Sequence, residues 1–136
     1  MELMNAIKIS ASGMQAQGTR LRVVAENVAN ADSLGTTPGD DPYRRKTITF
    51  KDVLDRDLGA DLVRVAKIGR DMGDFDTSYQ PHHPLADENG YVKQPNVNSL
   101  IEMADMKEAQ RGYDANLSVI ESSKSMIQRT IELLRR

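Results

Sequence analysis

His82 and His83 are the only histidines in the 136 residues, and they stand between Pro81 and Pro84 with Asp87 and Glu88 just behind. Imidazole and carboxylate donors at such close spacing are the raw material of a divalent-metal site. Adjacent side chains in an extended segment point to opposite faces, however, so the two rings do not converge on one ion. The segment reads as a proline-bracketed surface loop, and no metal is expected. Gly35-Thr36-Thr37-Pro38-Gly39 has no following Lys-Ser/Thr and so is not a phosphate-binding loop. No serine sits in a nucleophile-elbow sequence. Cysteine is absent, which removes thiol nucleophiles, Cys-ligated zinc and disulfide scaffolds together. Arg44-Arg45-Lys46 is a basic run, but on an alternating strand its charges divide between two faces. It reads as a solvated edge rather than a nucleic-acid patch, and a net charge of −2 points the same way. No catalytic constellation emerges, no cofactor is implied, and the chain is not expected to be an enzyme.

The elements that would carry these residues follow from composition. Tryptophan is absent, and only two Phe and four Tyr are present. That is little aromatic area for a compact enzyme core. No run approaches the 18 or so apolar residues of a membrane span. The N-terminus shows no basic cluster followed by an apolar block, so no cleaved secretory signal is expected. All five Pro lie between residues 32 and 96, which carry a net charge of −3, against +1 before and zero after. The expected organisation is an N-terminal helix over 1–31, a β/loop insert over 32–96 and a C-terminal helix over 97–136. The fold class is mainly α with a small β-rich insert, its long terminal helices pairing as a coiled coil.

Heptads support that pairing. Met4, Ala11, Gly18 and Ala25 are seven apart, and Ile7, Met14, Leu21 and Val28 form a second series. Small residues in one series would admit large ones from a partner helix: Ala11, Gly18 and Ala25 would receive Tyr113, Leu117 and Ile120. Met106, Tyr113, Ile120, Ile127 and Leu134 repeat the spacing near the C-terminus, with Met103, Leu117 and Ile131 as an interrupted companion series. Gly13 and Gly18 each cost a helix about 1 kcal/mol relative to Ala, so the first helix needs a partner. Asn98 or Ser99 is expected to cap the second helix, with Glu102 in its first turn and Arg129, Arg135 and Arg136 near its negative end. Asn27 and Asn30 close the first helix and Asn116 interrupts the second; either Asn30 is a C-terminal cap and Asn116 exposed, or these amides are buried and fix the register between helices. Asn116, Ser123 and Thr130 form an uncharged stripe away from the heptad face, expected to meet solvent or to line a hydrated channel. In the insert, residues 43–50 and 62–68 read as strands, 69–90 as turn-rich, and Tyr91-Val92 as a short third strand.

Two segments carry a family resemblance. Asn27-Val28-Ala29-Asn30-Ala31-Asp32-Ser33 resembles the segment that ends the N-terminal helix of flagellar rod and hook proteins. Pro81-His82-His83-Pro84, Asp87, Gly90-Tyr91-Val92 and Pro95-Asn96-Val97-Asn98 resemble the middle segment of one proximal-rod member, as does the later Arg111, Tyr113, Ala115, Asn116 run. Leu85 stands where that pattern has Asp. The resemblance covers nearly the whole chain and separates it from the sister protein FlgB. It implies a structural subunit exported unfolded through the flagellar type III apparatus without a cleaved signal. Such subunits polymerise helically, with themselves and with rod proteins such as FlgB, FlgF and FlgG and the rod-base protein FliE. They form a hollow, torque-transmitting shaft in the basal body, within the cell envelope. No nucleic acid or small-molecule substrate is implied. Taken alone, the residues also fit a cytoplasmic helical adaptor or regulatory coiled-coil protein.

Overall fold

A computed structural model describes residues 2–136. In chain order the elements are α1 (Glu2–Ala29), β1 (Lys46–Asp55), β2 (Ala60–Arg70), β3 (Asp76–Tyr79), β4 (Tyr91–Gln94) and α2 (Ser99–Leu134). β1 pairs with β2, and β3 pairs antiparallel with β4 in the register Asp76↔Gln94 to Tyr79↔Tyr91. Two long helices with small β segments between them match the expected class. β3 falls inside the stretch read as turns, because Asp76-Thr77-Ser78-Tyr79 has no apolar alternation and is extended by pairing with β4.

The chain divides into two compact units. One comprises residues 1–21, 49–67 and 107–136, and the other residues 22–48 and 68–106. In the first unit the helices run antiparallel: Gly13 meets Asn116, Gly112 meets Gln17, and Arg20 reaches Glu108 at 3.5 Å. The β1–β2 turn is built by Asp55, whose Oδ1 accepts from the backbone N–H groups of Asp57 and Leu58. α1 braces this hairpin. Ser12 Oγ accepts from Val63 N–H at 3.3 Å, and Asn5 Nδ2 donates to the Leu58 carbonyl.

The heptad assignment is one residue out of phase. On α1, Ser10, Ala16, Val23, Val24 and Asn27 are buried, whereas Met4, Ala11 and Ala25 are exposed. On α2, Glu102, Ala109 and Ser123 are buried, with half-buried Asn116 completing the seven-residue spacing, and Met103, Leu117, Ile131 and Leu134 are exposed. One residue turns a helix face by about 100°. A Cβ at Gly18 would meet nothing within 4 Å, so the expected insertion of Tyr113, Leu117 and Ile120 over Gly18 does not occur. The close approach is at Gly13, where a Cβ would lie 2.8 Å from Asn116 Nδ2, and at Gly112, 3.2 Å from Gln17. Ile7, Met14, Leu21, Val28, Met106, Tyr113, Ile120 and Ile127 are half-buried. The physical reason is size: small and amide residues let two helices come close, and the larger apolar residues are displaced to the flanks. Ser123 therefore belongs to a packed face, not to a wet stripe, and Asn116 packs against Gly13. Arg129 lies within α2 and Arg135 and Arg136 directly follow its end at Leu134, so these cations stand near its negative end, although none is in the last turn itself.

These contrasts give a paired test. Gly18→Ala should raise the thermal unfolding midpoint, gaining up to about 1 kcal/mol of helix propensity in open space. Gly13→Ala should lower it despite the same propensity gain, because Asn116 must move. Equal shifts in the two variants would show that the helices do not approach at Gly13.

Candidate structural site

The most densely bonded residues lie in the second unit, where the end of α1, the segment before β1 and the start of α2 meet. Asn27 is 1% exposed, and its amide satisfies four hydrogen bonds. Nδ2 donates to the Lys46 carbonyl (2.9 Å) and to Glu102 Oε2 (3.2 Å). Oδ1 accepts from the Lys46 N–H (2.8 Å) and the Tyr43 hydroxyl (2.8 Å). The side chain thus mimics a strand neighbour for Lys46, so the last turn of α1 pairs with the first residue of β1. Asn96 does the same one residue away: its Oδ1 accepts from Arg45 N–H (2.8 Å) and its Nδ2 donates to the Asp71 carbonyl (3.0 Å).

Glu102 is fully buried and bonded to the Arg45 guanidinium, which also faces Asp71 at 4.0 Å and Asp105 at 3.8 Å. A carboxylate out of water requires a partner charge and further hydrogen bonds, and Arg45 and Asn27 provide them. Glu102 occupies the first turn of α2, as expected, but it looks inward to Arg45. Asn98 is the cap, its Oδ1 accepting from Leu100 and Ile101 N–H. Lys46 pairs with Glu26, and this hydrogen bond, ahead of the opposing effect of burial, holds the Glu26 carboxyl below its ordinary pKa. Hydrogen bonds from Thr37 and Thr36 do likewise for Asp40. Burial raises the Tyr43 hydroxyl.

The basic run is therefore not a solvated edge. Arg44 donates to the carbonyls of Asp71 and Gly73 and lies 4.2 Å from the Phe75 ring centroid. Each of the three cations is bonded. Alternation alone suggested solvent on both sides of the run; three cations in an acidic segment, flanked in sequence by buried-capable amides, were the signal available. Asn30, the alternative cap, donates to the Glu26 carbonyl (2.8 Å) and accepts from the Ser33 hydroxyl. Asn116 donates to the Gly112 carbonyl (2.9 Å) within α2.

The middle motif builds the loop joining β3 to β4. Gly90 has φ +84°, and a Cβ there would lie 2.9 Å from Tyr79 and 3.1 Å from Pro81. Asp87 Oδ1 accepts from Asn89 and Tyr91 N–H, and the Tyr79 and Tyr91 rings stand 5.3 Å apart. His83 Nδ1 accepts from Leu85 N–H at 3.0 Å, while His82 is exposed. Pro84 is exposed and Pro95 is buried at the end of β4. Among the described residues no three His, Cys, Asp or Glu side chains gather into a metal-binding group, and no helix is long and apolar enough to cross a membrane.

Both ends of the chain that form these contacts match known families. Residues 7–35 match the flagella basal body rod protein family, and residues 88–133 match the C-terminal family of the flagellar basal body rod FlgEFG proteins. The flagellar basal-body rod protein FlgC of Agrobacterium fabrum is 58% identical, over 96% of this chain and 94% of its own length. That of Salmonella typhimurium is 41% identical over 98% of both chains. The FlgC of Borreliella burgdorferi is 39% identical, over 98% of this chain and 99% of its own length. The chain belongs to the FlgC family of flagellar basal-body rod proteins. It is accordingly a structural subunit of the flagellar rod, in the basal body, and its family is not one of enzymes. In this FlgC-family chain the matched N-terminal region contains Asn27 and the matched C-terminal region contains Glu102, which meet over Arg45 and Lys46.

Glu102→Ala leaves Arg45 facing an emptied buried position and should cost about 3 kcal/mol of stability, read by urea unfolding. Asn27→Ala should cost about 2 kcal/mol or more, since the Lys46 backbone and Tyr43 hydroxyl lose their partner. Losses under 0.5 kcal/mol in both would show that water replaces the network at little cost. The depressed Glu26 and Asp40 carboxyls stabilise the fold above the ordinary carboxylate pKa. That contribution is lost as pH falls through their lower folded values. Acid titration below about pH 4.5 should therefore lower the stability slightly, and Lys46→Met should flatten that dependence.

Proposed function

We propose that this rod subunit polymerises helically into a hollow shaft that transmits torque and encloses the export channel. The observation that carries the reading is the pairing of α1 with α2 through Gly13–Asn116 and Gln17–Gly112, which leaves large apolar residues on the outer helix faces. Met4, Ile9, Met103, Leu117, Met126 and Ile131 are all exposed in the single chain. Such faces on a slender helix pair suit burial between neighbours in an assembly. The pair is read as an antiparallel coiled coil formed by residues 1–31 and 97–136, giving an inner layer, with residues 32–96 as an outer layer.

On this reading the chain leaves the cytoplasm unfolded through the flagellar type III apparatus, without a cleaved signal, and refolds at the growing rod. Its partners are further copies of itself, the rod proteins FlgB, FlgF and FlgG, and the rod-base protein FliE. A Cys-free chain suits passage through an oxidising space. The Asn27–Glu102 contact supports the same picture, since the outer insert is anchored only when both terminal segments have arrived.

Deletion of the gene should abolish motility and stop secretion of hook protein, and the full chain supplied in trans should restore both. Asn27→Ala should restore less than the parental chain. Basal bodies purified from the complemented strain should contain the protein with its original N-terminal sequence by mass spectrometry. A deletion strain with normal rods would overturn the reading.

A further inference from the structure

Charge is divided unevenly along this chain. The unit of residues 22–48 and 68–106 holds six Lys/Arg against eleven Asp/Glu, a net of −5, and the other unit holds twelve against nine, a net of +3. Each excess coincides with an uncovered apolar surface at one end of α2.

At the start of α2, Leu100 is 78% and Ile101 56% exposed. Asn96 bonds the Asp71 carbonyl, and Asp76 pairs with Gln94, so the run Asp71–Asp76 lies beside the chain entering the helix. That run adds Met72, 78% exposed, together with Asp74 and Asp76, which have no ion pair among the described residues. Arg44 and Arg45, the cations nearby, are already engaged by carbonyls, the Phe75 ring and carboxylates. At the other end of α2, Leu133 and Leu134 are 70% and 82% exposed. Arg129, Arg135 and Arg136 surround them, with Glu132 the one opposing charge, and the three arginines have no ion pair among the described residues.

We propose that the cationic, apolar C-terminal end of α2 in one copy docks on the anionic, apolar surface formed by Met72, Asp74, Asp76, Leu100 and Ile101 of a second copy. The charges are complementary, which sets register and suppresses like-on-like contacts. The two surfaces are different, and the proposed contact joins them head to tail. Made once per pair of copies it is heterologous, and repeating it extends a chain, whereas an antiparallel pair making it twice would close a dimer and give no ladder. The proposal deepens the rod reading by naming one contact within the polymer, and it rests on that reading.

The Cys-free background allows a direct test with Leu100→Cys and Leu134→Cys, both exposed, expressed in the deletion strain. Mild oxidation of purified basal bodies carrying the doubly substituted chain should give a ladder of disulfide-linked oligomers on non-reducing gels. Each single variant should give almost none. Arg135→Glu with Arg136→Glu should lower the ladder by about tenfold, a change of about 1.4 kcal/mol, and adding Asp74→Lys with Asp76→Lys should restore it. Raising salt before oxidation should weaken it further, since exposed charges are screened. Dimers from either single variant, no ladder from the double variant in rods that assemble, or no restoration by the charge swap would overturn the proposed contact while leaving the rod reading intact. Absence of the chain from basal bodies would overturn both.

Discussion

A carboxylate without water is the constraint around which one unit of this protein is organised. Glu102 has 0% of its surface exposed, and a buried unpaired anion would cost several kcal/mol. The Arg45 guanidinium and the Asn27 amide remove that penalty, and each is itself positioned by something else. Arg45 is fixed through its backbone by Asn96, and Asn27 through Lys46 and Tyr43. The network thus ties the C-terminal end of α1, the first residue of β1 and the first turn of α2 into one arrangement. Apolar packing would be at least as stabilising, but it would not discriminate among registers in the same way. An ionic and amide network tolerates only the geometry that satisfies every member.

In the other unit the constraint is closeness. Gly13 and Gly112 each receive an amide side chain from the opposite helix, Asn116 and Gln17. Glycine in a helix interior is unfavourable by propensity, and here the absent Cβ is what lets the backbones approach. Gln17 Oε1 is buried and has no hydrogen-bond partner among the described residues. The large apolar residues that sequence periodicity singles out lie beside this seam, some half-buried and some exposed. On the proposed rod reading, the exposed ones are the faces left for neighbours.

Most of what this chain is could be read before its fold was known. Separated helix-rich ends, the proline-bearing middle, the lack of any catalytic constellation, and the segments Asn27–Ser33 and Pro81–Asn98 point to a structural rod subunit, because these are properties of composition and local order. The start of α2 at Asn98 or Ser99 and the turn-rich character of the chain before Tyr91 were likewise legible, since caps and turns depend on a few adjacent residues. The seam was not. Heptad counting rewards large apolar side chains, and the real seam is made of Ser10, Gly13, Gln17, Ala109 and Asn116. Which of two faces one residue apart is buried depends on the partner's small residues, and these lie some hundred positions away in sequence. The same holds for Arg44-Arg45-Lys46, whose surroundings come from Asp71, Phe75 and Glu102. A residue's type states which partners it can satisfy; only the tertiary structure brings particular partners within bonding distance, and burial then makes that choice binding.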